Sequence, residues 1–306
     1  MSVLVVGSIA LDTVKTPVEE HADLLGGSAS YAALAASFFA PVKLVGIVGT
    51  DFPATEFDFW RSRNIDVEGV QRAEGQTFRW SGEYSWDLNT RETRSVELNV
   101  FENFKPVLPA SYRQTEFALL ANIAPSLQSH VLDQMKQPRF VVADTMDLWI
   151  ETTRPDLDAL LPRADLLILN DSEAREMTKE TSLIKAGRKI RGIGPRYVAI
   201  KKGEHGALLF GDDEFFSCGA YPLEDIHDPT GAGDTFAGGV GGFLAAHVKG
   251  EVTFADLRRA IIYGSVLASF CVEAFSLERL RKLTKDEIME RYEVFRLMSQ
   301  FEMATE

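Results

Sequence analysis

The chain is 306 residues long, carries 45 acidic against 32 basic side chains for a formal charge of −13, and is 45% hydrophobic and 25% charged. Those proportions belong to globular proteins and exclude long disorder, a collagen-like repeat and a fibrous coiled coil. The negative balance disfavours a nucleic-acid duplex or an anionic membrane as the main partner, because both are bound through clustered Lys and Arg. It leaves open a phosphorylated ligand held by backbone amides and a divalent metal. Cys218 and Cys271 are the only cysteines, with no CxxC pair and no zinc spacing, so neither a disulfide framework nor a structural metal is expected and the chain reads as cytoplasmic. No positive charge precedes the apolar start, the first lysine being Lys15, so a secretory leader is not expected. The apolar segment Tyr31 to Val42, at about twelve residues, falls short of the roughly 20 needed to span a bilayer.

In chain order, Val3 to Val6 is the first of several short Val, Ile and Leu runs suited to strands buried on both faces. The others are Leu44 to Val48, Phe117 to Ala121, Phe140 to Ala143, Leu166 to Leu169 and Tyr197 to Ile200. Helical segments fall between them at Ser28 to Phe39, Ala124 to Lys136 and Ser172 to Glu180, and this alternation predicts a parallel sheet in an α/β fold. One stretch departs from the pattern. Between Asp66 and Phe104, Thr77, Arg79, Ser81 and Glu83 alternate with Phe78, Trp80, Gly82 and Tyr84, and Asp87 to Thr90 supplies a turn. A period of two describes antiparallel strands solvated on one side, so a small β appendage is expected there. Its aromatics Phe78, Trp80, Tyr84 and Trp86 either pack on the main body or cover a ligand. The C-terminal third is helical over Thr235 to His247, Thr253 to Val272 and Thr284 to Met298, with Thr284 and Glu287 in capping-box spacing. Length alone admits one large domain with an appendage or two modest domains.

The densest chemical signal is the run from Asp228 to Asp234, DPTGAGD, followed by a glycine-rich helix. Gly231 and Gly233 permit torsions and close approach that a side chain would block. The first amides of the helix, those of Ala232, Gly233 and Asp234, have no internal partners and sit at the positive end of the helix dipole, which suits a phosphoryl group. A carboxylate there would repel that ligand unless it accepts a proton from the attacking group, so Asp234 is either a general base or only a favourable first-turn acid. Each interior glycine costs a helix about 0.5 to 1 kcal/mol relative to alanine, and for Gly238, Gly239, Gly241 and Gly242 close packing is the expected compensation. Neither the P-loop pattern nor GxGxxG after the first strand is present, which excludes the P-loop solution and makes a dinucleotide oxidoreductase a poor alternative.

Gly-Ala-Gly-Asp opening a helix resembles the C-terminal signature of the ribokinase, or PfkB, family of carbohydrate and nucleoside kinases, and the likeness extends along nearly the whole chain. The turn Gly7 to Asp12 is similar to the family's first turn, which implies that Asp12 binds substrate hydroxyls. Gly26 and Gly27 match the di-glycine hinge between lid and body, where amides also meet the substrate; the family's asparagine at the sixth position is replaced here by Tyr31. Asn170 and Glu173 resemble the Asn-x-x-Glu element that organises magnesium through water, although Asn170 also suits an ordinary helix cap. Lys201, Gly203 and Gly206 stand where the family has Thr-x-Gly-x-x-Gly around the nucleotide, with Lys201 in place of threonine, meeting phosphate or solvated in a loop. Thr230 adjoins the nucleotide by the same resemblance, and Gly264 to Glu273 corresponds to the border of the adenine and of a monovalent-cation site in many members.

The resemblance implies a three-layer α/β/α body with a mostly parallel sheet, one domain over 1–306, and a small β-sheet lid near 12–25 and 66–104. It implies transfer of the ATP γ-phosphoryl group to a primary hydroxyl of a nucleoside or sugar, with Mg2+, in some members a monovalent cation, and Asp234 with Gly231, Ala232 and Gly233 as the catalytic corner. A catalytically silent binder of nucleotides or sugars on the same fold is the alternative. Tyr31 and the lid aromatics favour a nucleoside, whose base needs an apolar wall. Lid strands with open edges make a homodimer an expectation.

Overall fold

The structure, a computed structural model, describes residues 1–301. In chain order its elements are β1 (Val3–Val6), β2 (Ala10–Lys15), β3 (Glu20–Gly26), α1 (Ser28–Ser37), β4 (Val42–Val48), α2 (Ala54–Ser62), β5 (Ile65–Arg72), β6 (Phe78–Tyr84), β7 (Arg91–Glu97), β8 (Phe117–Leu120), α3 (Pro125–Gln134), β9 (Phe140–Asp144), α4 (Asp147–Thr152), α5 (Arg154–Leu160) and β10 (Leu166–Asn170). Then follow α6 (Asp171–Thr178), α7 (Leu183–Arg191), β11 (Tyr197–Lys201), β12 (Ala207–Phe210), β13 (Phe215–Cys218), α8 (Ala232–His247), α9 (Phe254–Cys271), α10 (Glu278–Lys282) and α11 (Lys285–Met298).

A nine-stranded sheet runs in the order β13-β12-β11-β10-β9-β8-β1-β4-β5. It is parallel from β11 to β5, while β12 and β13 add an antiparallel edge. The apolar runs of the sequence become its buried strands because their residues alternate between two cores. Val3 and Val5 join α1 and α8 on one face, whereas Leu4 and Val6 join Val131, Leu132 and Met135 of the α3 side on the other. Three layers result. On the first face the glycines of α8 let helices touch. A Cβ at Gly238 would lie 2.3 Å from the Ala32 carbonyl oxygen of α1, and one at Gly242 would lie 2.6 Å from the Ala36 Cα.

A second sheet has the order β3-β2-β6-β7. It differs from expectation in two ways. The pattern places residues from Asp66 in the appendage, but β5 pairs in parallel with β4 as the edge of the main sheet, so the smaller sheet's second pair of strands begins at Phe78. Its strands are also not all antiparallel: β2 runs antiparallel to β3 and β6 to β7, whereas β2 and β6 are parallel. Alternation reports which face is buried and says nothing of strand direction, which the chain settles by inserting α1, β4, α2 and β5 between β2 and β6. At its base, Thr77 donates its amide to Asp51 at 2.7 Å and its hydroxyl to the same oxygen at 2.6 Å. Among the described residues no helix is long and apolar enough to cross a membrane.

Candidate active site

β9, β10 and β11 end side by side in Asp144, Asn170 and Lys201, at the carboxyl edge where open α/β sheets receive ligands. The start of helix α8 lies beside them, a Cβ at Gly233 falling 2.9 Å from Lys201 Nζ. Its N-cap, Gly231, has φ 75°, a left-handed conformation that side chains disfavour, and no side chain caps the helix. The ring of Tyr31 fills the space beside it: a Cβ at Gly231 would lie 2.4 Å from the ring carbons. Tyr31 is therefore a buried wall of this corner and no free platform for a base. The Ala232 amide makes a long turn bond of 3.3 Å to the Pro229 carbonyl, and the amides of Gly233 and Asp234 occupy first-turn positions that have no intrahelical acceptor.

Asp234 is the first-turn acid of α8. Burial pushes its carboxyl up to about 7, Asp144 adds to the shift, and Lys201 and Arg91 oppose it. Asp12, on β2, is 5% exposed, and its Oδ1 has no hydrogen-bond partner. Burial also raises Asp12 to about 7, the Gly27 amide opposes this, and the nearby Asp228 and Asp234 charges add to it. The di-glycine is what lets Asp12 fit: a Cβ at Gly26 would fall 1.8 Å from Asp12 Oδ2, and Gly27 turns the chain at φ 85° into α1. The structure thus brings Asp12, Gly26, Gly27, Tyr31 and the Gly231 to Asp234 corner together.

Asn170 and Glu173 lie at the end of β10 and form a reciprocal capping box. Asn170 Oδ1 accepts the Glu173 amide at 2.8 Å, and Glu173 Oε2 accepts the Asn170 amide at 2.6 Å. The Asn170 amide oxygen, which also receives the Ser172 hydroxyl at 2.7 Å, is committed to the cap. Glu173 keeps one carboxylate oxygen outside the cap. Burial raises Glu173 to about 7, Lys201 opposes and Asp144 adds. A buried carboxylate held this high favours a cation, yet among the described residues no cluster of three side chains could hold a metal alone. This donor set suits an ion that arrives with phosphates and keeps its waters.

Lys201 ends β11 and is not a solvated loop cation: its side chain is 18% exposed, and its Nζ lies 3.5 Å from Asp144 Oδ1. Beyond it, Gly203 at φ 54° and Gly206 at φ 85° shape a tight turn closed by the Lys202 amide on the Gly206 carbonyl at 2.7 Å. Open space surrounds Gly203, whereas Gly206 packs on the Cys218 and Gly219 backbone. Thr230 donates its hydroxyl to Tyr84 of β6 at 3.1 Å and its amide to Asp228 at 2.9 Å. Glu273, at the end of the Gly264 to Glu273 stretch, is engaged by Arg279 at 2.9 Å and Arg291 at 2.5 Å.

The four aromatics of the smaller sheet part company. Phe78 stacks on Phe101 with centroids 5.3 Å apart, Trp80 lies under Arg91 at 5.3 Å, Tyr84 meets Thr230, and Trp86 is 86% exposed. Sequence reasoning missed Asp144 and Arg91, and gave Asp228 no role. Asp228 is fully buried and ties the Thr230 turn to the Ser276 amide. The signal for Asp144 was available: an acid closing an apolar run at the carboxyl end of a parallel strand, as Asn170 closes the next one.

A helix start whose Gly233 and Asp234 amides lack intrahelical acceptors, with an acid in its first turn and Asp12 buried nearby, can hold an anion and accept a proton. The pfkB family of carbohydrate kinases matches residues 3–280. A cytidine kinase of Thermococcus kodakarensis is 31% identical over 258 residues, covering 82% of this chain and 90% of that one. Among solved structures, a ribokinase of Giardia lamblia superposes with a TM-score of 0.79 at 18% identity over 96% of this chain and 99% of that one. The nucleoside kinase of Methanocaldococcus jannaschii gives 0.75 at 20% identity over 96% and 98%. The protein is a phosphotransferase with an alcohol group as acceptor. It belongs to the pfkB family of carbohydrate kinases and has the ribokinase fold.

Proposed function

We propose that the protein transfers the γ-phosphoryl group of ATP to the primary hydroxyl of a ribose-containing nucleoside. The observation that carries this reading is the placement of Asp234 beside first-turn amides of α8 that lack intrahelical acceptors. The acceptor hydroxyl attacks the γ-phosphorus, the bond to the ADP oxygen breaks, and the hydroxyl proton passes to the Asp234 carboxylate. Asp12, with its unpartnered oxygen, and the Gly26 and Gly27 backbone orient the sugar. The Gly231, Ala232 and Gly233 backbone faces the transferring group, while Lys201, Gly203, Gly206 and Thr230 border the nucleotide. Glu173, capped by Asn170, would hold Mg2+ through water, and the ion when bound neutralises charge on the phosphates. The smaller sheet acts as a lid over the acceptor and excludes water that would otherwise be phosphorylated.

Two features support a nucleoside over a free sugar. The relative from Thermococcus kodakarensis is a cytidine kinase, and Trp80 and Tyr84 place aromatic surface on β6, the strand paired with Asp12's own strand. Strand β7 is exposed along its whole length at the edge of the lid, which supports pairing with a second copy. The test is ADP release from MgATP with ribose, fructose, adenosine, inosine and cytidine as acceptors. Turnover is expected with a nucleoside, cytidine first. Turnover with ribose or fructose alone would overturn the nucleoside reading, and turnover with none would favour a silent binder.

A further inference from the structure

Three strand ends and one helix start meet around Lys201. β9 ends in Asp144, the capping box after β10 presents Glu173, α8 presents Asp234, and the buried ammonium of Lys201 at the end of β11 lies 3.5 Å from Asp144 Oδ1 and close enough to the other two acids for their charges to raise its pKa. Among the described residues its polar partner is Asp144 Oδ1, at 3.5 Å, long for a charged hydrogen bond. An ammonium has three N–H donors, so most of its capacity is unspent. Its direction is set by Gly233. A Cβ there would lie 2.9 Å from Nζ, so the ammonium rests against the first-turn peptides of α8, on the side where an anion would dock.

Stability alone does not account for this arrangement. A buried ion pair is often matched or exceeded by apolar residues of the same volume, and one ammonium does not neutralise three acids. A site that must accept a polyphosphate needs a positive charge aimed at it, and a lysine works there as a flexible point charge that can exchange one anionic partner for another.

Resting on the kinase reading above, we infer that Lys201 is a catalytic residue that touches the γ-phosphoryl group during transfer, and that Asp144 is a positioning residue that holds Lys201 toward that point. In the free protein Asp144 restrains the ammonium. When the γ-phosphoryl group is present, Lys201 turns its free donors to the nonbridging oxygens and, as charge accumulates toward the transition state, gains there what it does not gain on ADP. Asp144 makes no contact with the nucleotide in this scheme, and its effect passes through Lys201.

The experiment compares wild type, Lys201→Met, Asp144→Asn and the double variant Asp144→Asn/Lys201→Met. It measures binding of Mg-AMP-PNP and Mg-ADP by titration without acceptor, and steady-state turnover with cytidine. Lys201→Met is expected to weaken AMP-PNP binding about tenfold while ADP changes less than about twofold, and to lower kcat about 10²-fold to 10³-fold. Asp144→Asn is expected to lower kcat about tenfold with little change in KM for ATP, the split expected when a transition-state contact is misplaced. Because Lys201→Met leaves Asp144 buried with the Thr145 amide but no countercharge, the double variant guards against misfolding. It removes both charges and is expected to melt near wild type yet stay as slow as Lys201→Met. Wild-type turnover in the double variant, or equal changes in AMP-PNP and ADP affinity in Lys201→Met, would overturn the inference. If the wild type turns over no acceptor but the selective loss of AMP-PNP binding persists, the nucleoside kinase reading fails while the Lys201 contact stands.

Discussion

The two sheets bury themselves in opposite ways. In the main sheet β9, β10 and β11 are buried along their lengths and their residues divide between two cores, so the strand ends that carry Asp144, Asn170 and Lys201 are fixed by packing on either side. In the smaller sheet β7 is exposed at every residue. That sheet meets the body through β2, β3 and β6: Leu11 and Leu25 enter a core, the Ser276 hydroxyl donates to the Leu25 carbonyl, and Tyr84 accepts the Thr230 hydroxyl, so its exposure is concentrated on the edge strand β7. On the proposed function, phosphate chemistry falls to the buried part and acceptor coverage to the part with the exposed edge, since segments with little buried surface are the ones that open and close.

Breaking the buried side should cost most. Gly231→Ala forces a side chain into a left-handed position and against the Tyr31 ring, and should lower kcat about 10²-fold while destabilising the protein by about 1 to 3 kcal/mol, read by turnover and by denaturant melts. The ionisation of the same corner comes next. Asp234 must be deprotonated to accept a proton, and burial places it at about 7, so kcat/KM should fall about tenfold per pH unit below that value.

Stability should respond in the opposite sense. Asp12, Asp234 and Glu173 all stand at about 7 in the folded chain, above model values of 3.8, 3.8 and 4.5, because burial disfavours their charged forms. Between those values and 7 the folded state binds more protons than the unfolded one, so the stabilisation is fully present at low pH and is lost as pH rises through 7. Without ligand the protein should melt higher at pH 5.5 than at pH 8, and Asp234→Asn should raise the pH 8 melting temperature by about 2 to 4 °C. The smallest effect belongs to the side with the exposed edge. Tyr84→Phe removes the hydroxyl that meets Thr230, a bond of about 0.5 to 1.5 kcal/mol, and should raise the acceptor KM severalfold with kcat nearly unchanged and the melting temperature lower by about 1 to 3 °C.

The same contrast separates what the sequence made legible from what it hid. Strands buried on both faces announce themselves as unbroken Val, Ile and Leu runs, and each such run lies in the main sheet. The motif around Asp234 was legible because a glycine N-cap and a first-turn acid are local features. Strand direction and membership were not, because pairing joins distant segments: β5 reads like its neighbours in the appendage but pairs with β4, and β2 meets β6 in parallel. Asn170 resolved into a cap because its oxygen is occupied by the Glu173 amide, a contact that spacing permits but does not require. The pairing of Asp144 was hidden for the same reason, since its partner Lys201 is far away in sequence and adjacent only once β9, β10 and β11 align, although the acid itself stands at a legible strand end.

The central claim is that Asp234 accepts the proton of the attacking hydroxyl. Single-turnover formation of ADP from MgATP and cytidine, compared between the wild type and Asp234→Asn at pH 8, tests it most directly. A loss of about 10² to 10⁴ in the transfer rate, with the variant folded and still binding ATP, is the predicted result. Transfer at the wild-type rate by the folded variant would contradict it.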